Sequence, residues 1–279
     1  MLSVDFTKIG LKTPERVIPM TTGSASTNYY VKNQDGEFLL KLKTKPDRIK
    51  LLSQNYKETS GHPFCPQLVF ETSVGNMRIF VSKWVDGKSY FLEKLPLKTL
   101  KQVIAAYLSF LELINRNKNK AVLPAEIPSE FYEKIKSPYA FMLPELNAIS
   151  QDLSYHPTLQ IIHGDFHFKN IIIKNNELQS FIDFESFQWG IPTEDLMRFL
   201  LTNAEQHKLF RQKYTVRLLK LLIQETPFSK EDWLYGLDIF VLSRYEKKLR
   251  KGGWMTFLAL YRSSLLYRKL RRVIHESFK

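Results

Sequence analysis

Residues 161–186 read IIHGDFHFKNIIIKNNELQSFIDFES. Two apolar runs flank a polar knot, His163-Gly164-Asp165, and Asn170 follows five residues after the aspartate. A second acid, Asp183, closes the next apolar run. Acids are depleted in strands and costly to bury unpaired, so their grouping asks for a compensating charge. IIIK (171–174) and LQSFIDF (178–184) are strand-like, with the short polar NNE between them, and read as a hairpin. Folding one strand on the other puts Asn170 and Asp183 at the open ends, where opposed Cα atoms lie about 4.5–5.5 Å apart. An amide oxygen and a carboxylate, 13 positions apart in the chain, then meet at one point. Such a pair suits a hard cation. Mg²⁺ takes one or two protein carboxylates and completes its shell with water and substrate phosphate oxygens. Asp165 lies just before the hairpin on a loop permitted by Gly164. A carboxylate placed beside a metal-bound phosphate accepts or orients a substrate hydroxyl.

The first third of the chain supplies a complement. ERVIPMTTG (15–23) is β-rich. NYYVKNQDGEFLLKLK (28–43) is two runs joined at Asp35-Gly36, and CPQLVFETSVGNMRIFVSKWV (65–85) is a second hairpin turning at Gly75-Asn76. A helix is compatible with 46–60. The small residues TTGSAST (21–27), with Gly23, Ser24 and Ser26, lie between two strands, where backbone N–H groups can approach phosphates. Lys41 follows in a strand and can reach phosphate oxygens. Lys43 shares its face, because side chains alternate, and the choice between the two stays open. At IFVSKWVDG (79–87) the chain leaves the sheet, and backbone around Lys83 and Val85 can meet an adenine edge. Trp84 is either a stacking partner for that ring or a core residue.

Beyond residue 95 the periodicity is helical, over 95–117, 129–155, 194–224, 230–250 and 254–276. The expectation is an α+β chain: a sheet lobe over 1–85, a helical lobe over 86–279, and a cleft between them. The 279 residues are 44% apolar, enough for a sizeable core. A single cysteine, Cys65, allows no intrachain disulfide, and MLSVDFTKIGLKTPERV shows no leader-like apolar region. No apolar run approaches a bilayer-spanning length. These features point to a cytoplasmic protein. The net charge of +13 is concentrated at the end, where eleven Lys and Arg from Arg244 onward face two acids, Glu246 and Glu276. That bias suggests an anionic substrate or a peripheral anionic membrane surface, at the inner membrane face. In the last helix Trp254, Leu258, Tyr261, Leu265 and Leu266 are expected to pack, leaving Arg268, Lys269, Arg271 and Arg272 for that surface.

HGDFHFKN (163–170) followed by IDFE (182–185) resembles the signature of the aminoglycoside phosphotransferase/choline kinase superfamily, a branch of the protein-kinase-like fold. The resemblance implies a two-lobed kinase-like fold with a small antiparallel five-stranded N-lobe and a larger helical C-lobe. It implies ATP and Mg²⁺ as cofactors and a small-molecule alcohol as acceptor: an amino sugar, a choline- or ethanolamine-like alcohol, or a glycan. Carried over, Asp165 is catalytic, Asn170 and Asp183 hold the metal, and Asp195-Leu196 matches a downstream Asp-Leu that braces the catalytic loop. His163 is then a structural residue holding that loop, with Asp195 as its partner. The sequence departs from kinase patterns in three places. The phosphate loop has one glycine, Asp183 is followed by Phe-Glu, and the helical acid that would pair Lys41 is either Glu58 or Asp47. The competing classes are a non-catalytic nucleotide binder and a basic nucleic-acid-binding protein. No nucleic-acid motif supports the second, so no nucleic-acid partner is expected. The C-terminal aromatics Trp233, Tyr235, Tyr245, Trp254, Tyr261 and Tyr267 have helical spacing, which favours core packing over a cation cage.

Overall fold

Turn chemistry and alternation build the sheet. In the computed structural model, which describes residues 6–7, 9–20, 27–43, 45–116, 155, 157–206, 212–249 and 254–279, strands β1 (Arg16–Met20), β2 (Thr27–Asn33), β3 (Gly36–Lys43), β4 (Leu68–Val74) and β5 (Met77–Lys83) form one antiparallel sheet in the order β1-β2-β3-β5-β4. The β2–β3 turn lies at Gln34-Asp35, where the Asn33 side chain accepts from the Asp35 N–H at 2.8 Å. The β4–β5 turn falls at Gly75-Asn76, as its sequence predicts. Val31, Leu40, Leu42, Ile79 and Val81 bury one face of the sheet beneath Ile9 and Leu11. On the other face, Phe80 packs with Leu52 and Tyr56 of helix α1 (Pro46–Glu58).

Contacts divide the chain into two compact units: residues 1–90 with 169–186, and residues 91–168 with 187–279. The decisive hairpin, β7 (Ile171–Lys174) with β8 (Glu177–Phe181), therefore belongs to the unit that holds the five-stranded sheet. Asn175 and Asn176, both at positive φ, make its two-residue turn. The strand run expected to reach residue 184 stops at Phe181, because Asp183 takes φ 68° and a short 3₁₀ turn follows over Phe184–Ser186. Two seams stitch the hairpin into its unit. The Phe181 N–H donates to Phe64 O at 2.8 Å, and Lys88 exchanges backbone hydrogen bonds with Ile173 at 2.9 and 3.0 Å. The second seam needs Gly87, at φ 135°, where a Cβ would lie 2.7 Å from Ile173 O. Gly87→Ala should cost about 2–4 kcal/mol, from backbone strain plus overpacking, and lower the urea midpoint. An unchanged midpoint would show that this seam yields freely.

The other unit is helical: α2 (Leu97–Asn115), α3 (Pro192–Gln206), α4 (Gln212–Glu225), α5 (Lys230–Leu249) and α6 (Trp254–Ser277), with a two-stranded ribbon of β6 (Gln160–Ile162) and β9 (Gln188–Gly190). The helical period expected over 194–224 is described as two helices, α3 and α4. The helix expected over 129–155 lies almost wholly outside the described residues. The ribbon strand β9 had no clear signal in its three residues. No helix among the described residues is long and apolar enough to cross a membrane.

The last helix corrects one expectation. Leu266, Tyr267, Leu270, Val273 and Ile274 are its buried residues, whereas Leu265 is 42% exposed. Spacings of three and four pick out the face through 266, 270, 273 and 274, and Leu265 stands about 100° from it. The side chains of Trp254, Leu258 and Tyr261 lie outside the described set. Arg271 is likewise not a plain surface cation. Its Nη1 lies 3.4 Å from Asp238 Oδ1 and 2.9 Å from the Tyr267 hydroxyl, which itself donates to Asp238 at 2.8 Å. Trp233, Tyr235 and Tyr267 are buried core residues, so they line no open cage.

Candidate active site

The first cluster lies in the sheet-bearing unit. At the open end of the β7–β8 hairpin the Ile182 N–H donates to Asn170 O at 2.9 Å, so Asn170 and Asp183 issue from adjoining points of the backbone. Asn170 is buried, while the Asp183 side chain is 44% exposed. Lys41 comes to the same place from β3, with its Nζ 3.3 Å from Asp183 Oδ1 and 3.5 Å from Glu185 Oε1. Lys43, two residues on, ion-pairs with Glu185 Oε2. Both lysines are buried, and buried cations persist when paired. Burial pulls the Lys41 pKa down, but Tyr56, Asp183 and Glu185 outweigh it and leave the ammonium more basic than usual.

Among the described side chains, the acid that both lysines share is Glu185, which lies outside helix α1. Glu58 accepts from Gln54 at 2.8 Å in an exposed pair, and the Asp47 side chain lies outside the described set. Where α1 meets this region it presents Asn55, whose amide donates to Phe184 O. The sequence held one hint, the Glu that follows Asp183-Phe184, but nothing local said which lysine it would meet.

Gly23, Ser24 and Ser26 lie outside the described residues. Lys83 ends β5 with an exposed side chain, and its N–H donates to Gln67 O at 3.0 Å. The Trp84 N–H donates to Glu37 O at 2.9 Å, and its ring sits edge-on to Tyr30 at 5.0 Å. Val85 follows, half-buried.

The second cluster lies in the helical unit and is organised by Asp195, which is fully buried at the start of α3. Its carboxylate accepts from the His163 N–H at 2.8 Å, the Gly164 N–H at 3.1 Å and the Tyr107 hydroxyl at 2.9 Å. The brace expected between His163 and Asp195 thus runs through the His163 backbone. The His163 ring sits among Phe110, Phe166 and Phe187, and its Nδ1 accepts from the Asp165 N–H at 3.4 Å. Burial and the charge of Glu194 raise the Asp195 pKa to about 7, against Arg198, Tyr107 and the Gly164 N–H. Asn115 ties α2 to the strand feeding this loop, its amide exchanging two hydrogen bonds with the Ile161 backbone at 2.8 and 2.9 Å. Gly164 turns the chain at φ 76°, and Phe166 anchors the loop by stacking on Tyr107 at 4.3 Å. Asp165 stays partly exposed, with its Oδ2 3.3 Å from His167 Nε2. Burial raises its pKa, but the hydrogen bond and charge of His167, then Arg198 and His163, prevail and hold the carboxyl below its usual range.

The profile of the phosphotransferase enzyme family matches residues 16–226. The chain belongs to that family. This phosphotransferase shares its fold with solved structures at low sequence identity. One is a thermostable mutant of the aminoglycoside phosphotransferase APH(4)-Ia in ternary complex with AMP-PNP and hygromycin B, at TM-score 0.64 and 12% identity, covering 96% of this chain and 97% of that one. Another is the macrolide 2'-phosphotransferase MphH from Brachybacterium faecium, at TM-score 0.56 and 12% identity over 88% and 90% of the two chains. A third is the spectinomycin phosphotransferase APH(9)-Ia in complex with ADP and spectinomycin, at TM-score 0.52 and 10% identity over 94% and 92%. No curated protein matches this phosphotransferase by sequence.

Proposed function

We propose that this phosphotransferase is an ATP- and Mg²⁺-dependent kinase that transfers the γ-phosphoryl group to a hydroxyl of a small molecule. The observation that carries the proposal is the pairing of Lys41 with Asp183 at 3.3 Å, at the Asn170 end of the hairpin. A buried cation sits there beside a carboxylate that is still partly open to solvent. Asn170 and Asp183 offer one amide oxygen and one carboxylate, a donor set that fits a hard cation sharing its shell with phosphate oxygens and water. Bound there, Mg²⁺ would supply neutralisation of phosphate charge. Lys41 contributes a point charge to a phosphate oxygen. In this reading the segment 21–27 would supply backbone N–H groups to the phosphates, and the backbone at Lys83 and Val85 would meet the adenine edge through groups other than the Lys83 N–H, which Gln67 O holds. Asp165, kept ionised by His167, takes up the hydrogen bond of the acceptor hydroxyl and orients it. Phosphoryl transfer then proceeds by positioning and charge neutralisation.

The structural neighbours carry aminoglycoside, macrolide or spectinomycin in their names, so antibiotic-like amino sugars join choline, ethanolamine and glycans as acceptor classes to try. An anionic acceptor or an anionic lipid surface would meet Arg268, Lys269 and Arg272, exposed on α6, rather than Arg271, which Asp238 holds. The test is ADP release with ATP and Mg²⁺ over a panel of these alcohols. Product formation with one class supports the reading, and a panel without turnover from a chain that also fails to bind ATP overturns it. Asp183→Asn should weaken Mg²⁺-dependent nucleotide binding at least about tenfold, the scale of losing a carboxylate that supports a metal. Metal-free nucleotide binding should change far less. Equal losses with and without Mg²⁺, read by calorimetry, would remove Asp183 from the metal site.

A further inference from the structure

Two lysines of one strand meet a single glutamate 144 and 142 positions further along the chain. Lys41 and Lys43 lie on the same face of β3, and Glu185 divides its carboxylate between them, Oε1 toward Lys41 at 3.5 Å and Oε2 toward Lys43 in the closer contact. Lys41 sits slightly nearer to Asp183, at 3.3 Å, than to Glu185. Glu185 is buried in the 3₁₀ turn directly after Asp183, and Asn55 of α1 ties that turn down through Phe184 O. Among its described side chains, the helix over this face contributes the Asn55 amide to the turn and Tyr56 beside Lys41.

The charges explain the arrangement. Glu185 with Lys41 alone would draw the ammonium toward itself and away from Asp183. Lys43 spreads the Glu185 charge over two cations. Lys41 then has two comparable carboxylate partners beside Tyr56, and it can leave Asp183 for an arriving phosphate oxygen while Glu185 still holds it. Without Glu185, two buried ammonium groups two residues apart would face one partly exposed carboxylate. Because Glu185 and Asp183 share one turn, the lysine and the aspartate are placed together.

We propose that Glu185 is the positioning residue for the phosphate-contacting Lys41, in the role a helical acid would otherwise fill, and that Lys43 serves as its counter-charge, so that Lys41 rather than Lys43 contacts the nucleotide. The inference rests on the nucleotide-dependent reading of the same site.

The test measures AMP-PNP binding by calorimetry, with and without Mg²⁺, for the wild type, Glu185→Gln, Lys43→Met and the double variant. Melting temperatures of the free proteins are recorded alongside. Glu185→Gln should raise the Kd about tenfold, the worth of one charge-assisted hydrogen bond, with and without Mg²⁺ alike. The double variant, which leaves Lys41 paired with Asp183, should return to within about threefold of wild type, a coupling expected of contacting residues. A purely structural Glu185 would lower the melting temperature without moving Kd at temperatures where the variant is folded. An unchanged Kd in Glu185→Gln, or single losses that multiply in the double variant, overturns the inference. A loss confined to the Mg²⁺ series makes Glu185 a metal ligand and overturns it too. Should Glu185→Gln not fold, Glu185→Asp keeps the charge on a shorter arm. It should raise Kd about threefold, part of one such bond, and no change would again overturn the inference. A wild-type chain that binds no nucleotide sinks the kinase reading and this inference with it, whereas wild-type binding that Glu185→Gln leaves intact sinks only the inference.

Discussion

Asp165→Ala is expected to lower turnover by about 10²–10⁴-fold, the range for removing a positioned acid–base group. Nucleotide binding should persist, because Lys41, Asn170 and Asp183 are untouched. The reasoning starts from the loop. The buried carboxylate of Asp195 takes the His163 and Gly164 N–H groups, so the backbone carrying Asp165 is held on its inner side. Asp165 is left partly exposed with His167 at 3.3 Å, and its carboxyl is held below the usual range. It is therefore ionised at neutral pH, as the proposed role toward the acceptor hydroxyl requires. The acidic limb of the kcat/KM profile should accordingly lie below the ordinary carboxylate range, and His167→Ala should move it upward. Near-normal turnover in Asp165→Ala would take this residue out of the chemistry.

Asp195→Asn is expected to cost about 3 kcal/mol of stability and most of the activity. Above about pH 7, where Asp195 is ionised, an amide presents one acceptor oxygen where the carboxylate presents two, and its NH₂ would point at a buried donor. At least one of the His163 N–H, the Gly164 N–H and the Tyr107 hydroxyl then loses its partner, at about 1–3 kcal/mol for each buried group left unsatisfied. Domain stabilities run to only about 5–15 kcal/mol, so a shift of this size is readily seen in urea denaturation. A pH series adds a second check. Burial lifts the Asp195 pKa from 3.8 to about 7, so between those values the folded chain keeps a proton that the unfolded chain releases. This group's contribution to stability therefore falls as pH rises from about 4 to about 7, and the asparagine variant should lack that part of the slope. A variant as stable as wild type, with the slope intact, would show that Asp195 does not organise the loop.

Much of this could be read from the chain. The β-rich run 15–23 and the strand alternation in 28–43 and 65–85, with turns beside Asp35-Gly36 and at Gly75-Asn76, specified a five-stranded antiparallel sheet, because turn residues and a period of two act over a few neighbours. The run from Ile171 to Phe181, with two asparagines able to take positive φ, specified the hairpin that brings Asn170 and Asp183 to adjoining ends. The knot at His163-Gly164-Asp165 and the Asp195-Leu196 downstream pointed to the braced loop and to the family. The face of α6 was harder. Its last turns mix Leu265, Leu266 and Tyr267 with arginines, so more than one stripe fits the sequence. Packing chose the one through Leu266, Leu270 and Ile274, and Asp238 on α5 claimed Arg271.

What the sequence determined by itself was what local periodicity and short-range turn chemistry control: the strands of the five-stranded sheet, most helices, the hairpin and the spacing of its acids and amide. What only the tertiary structure decided was who meets whom over long separations. The Lys41 contacts to Asp183 and Glu185 span 142 and 144 positions, and the Asp195 grip on Gly164 spans 31. The assignment of the hairpin to the sheet-bearing unit is of the same kind. A buried charge must find an opposite charge, but the sequence lists every candidate acid without saying which will be carried to it. Packing of β3, α1 and the turn after Asp183 made Glu185 that acid, because it is the buried carboxylate placed within reach of both buried lysines.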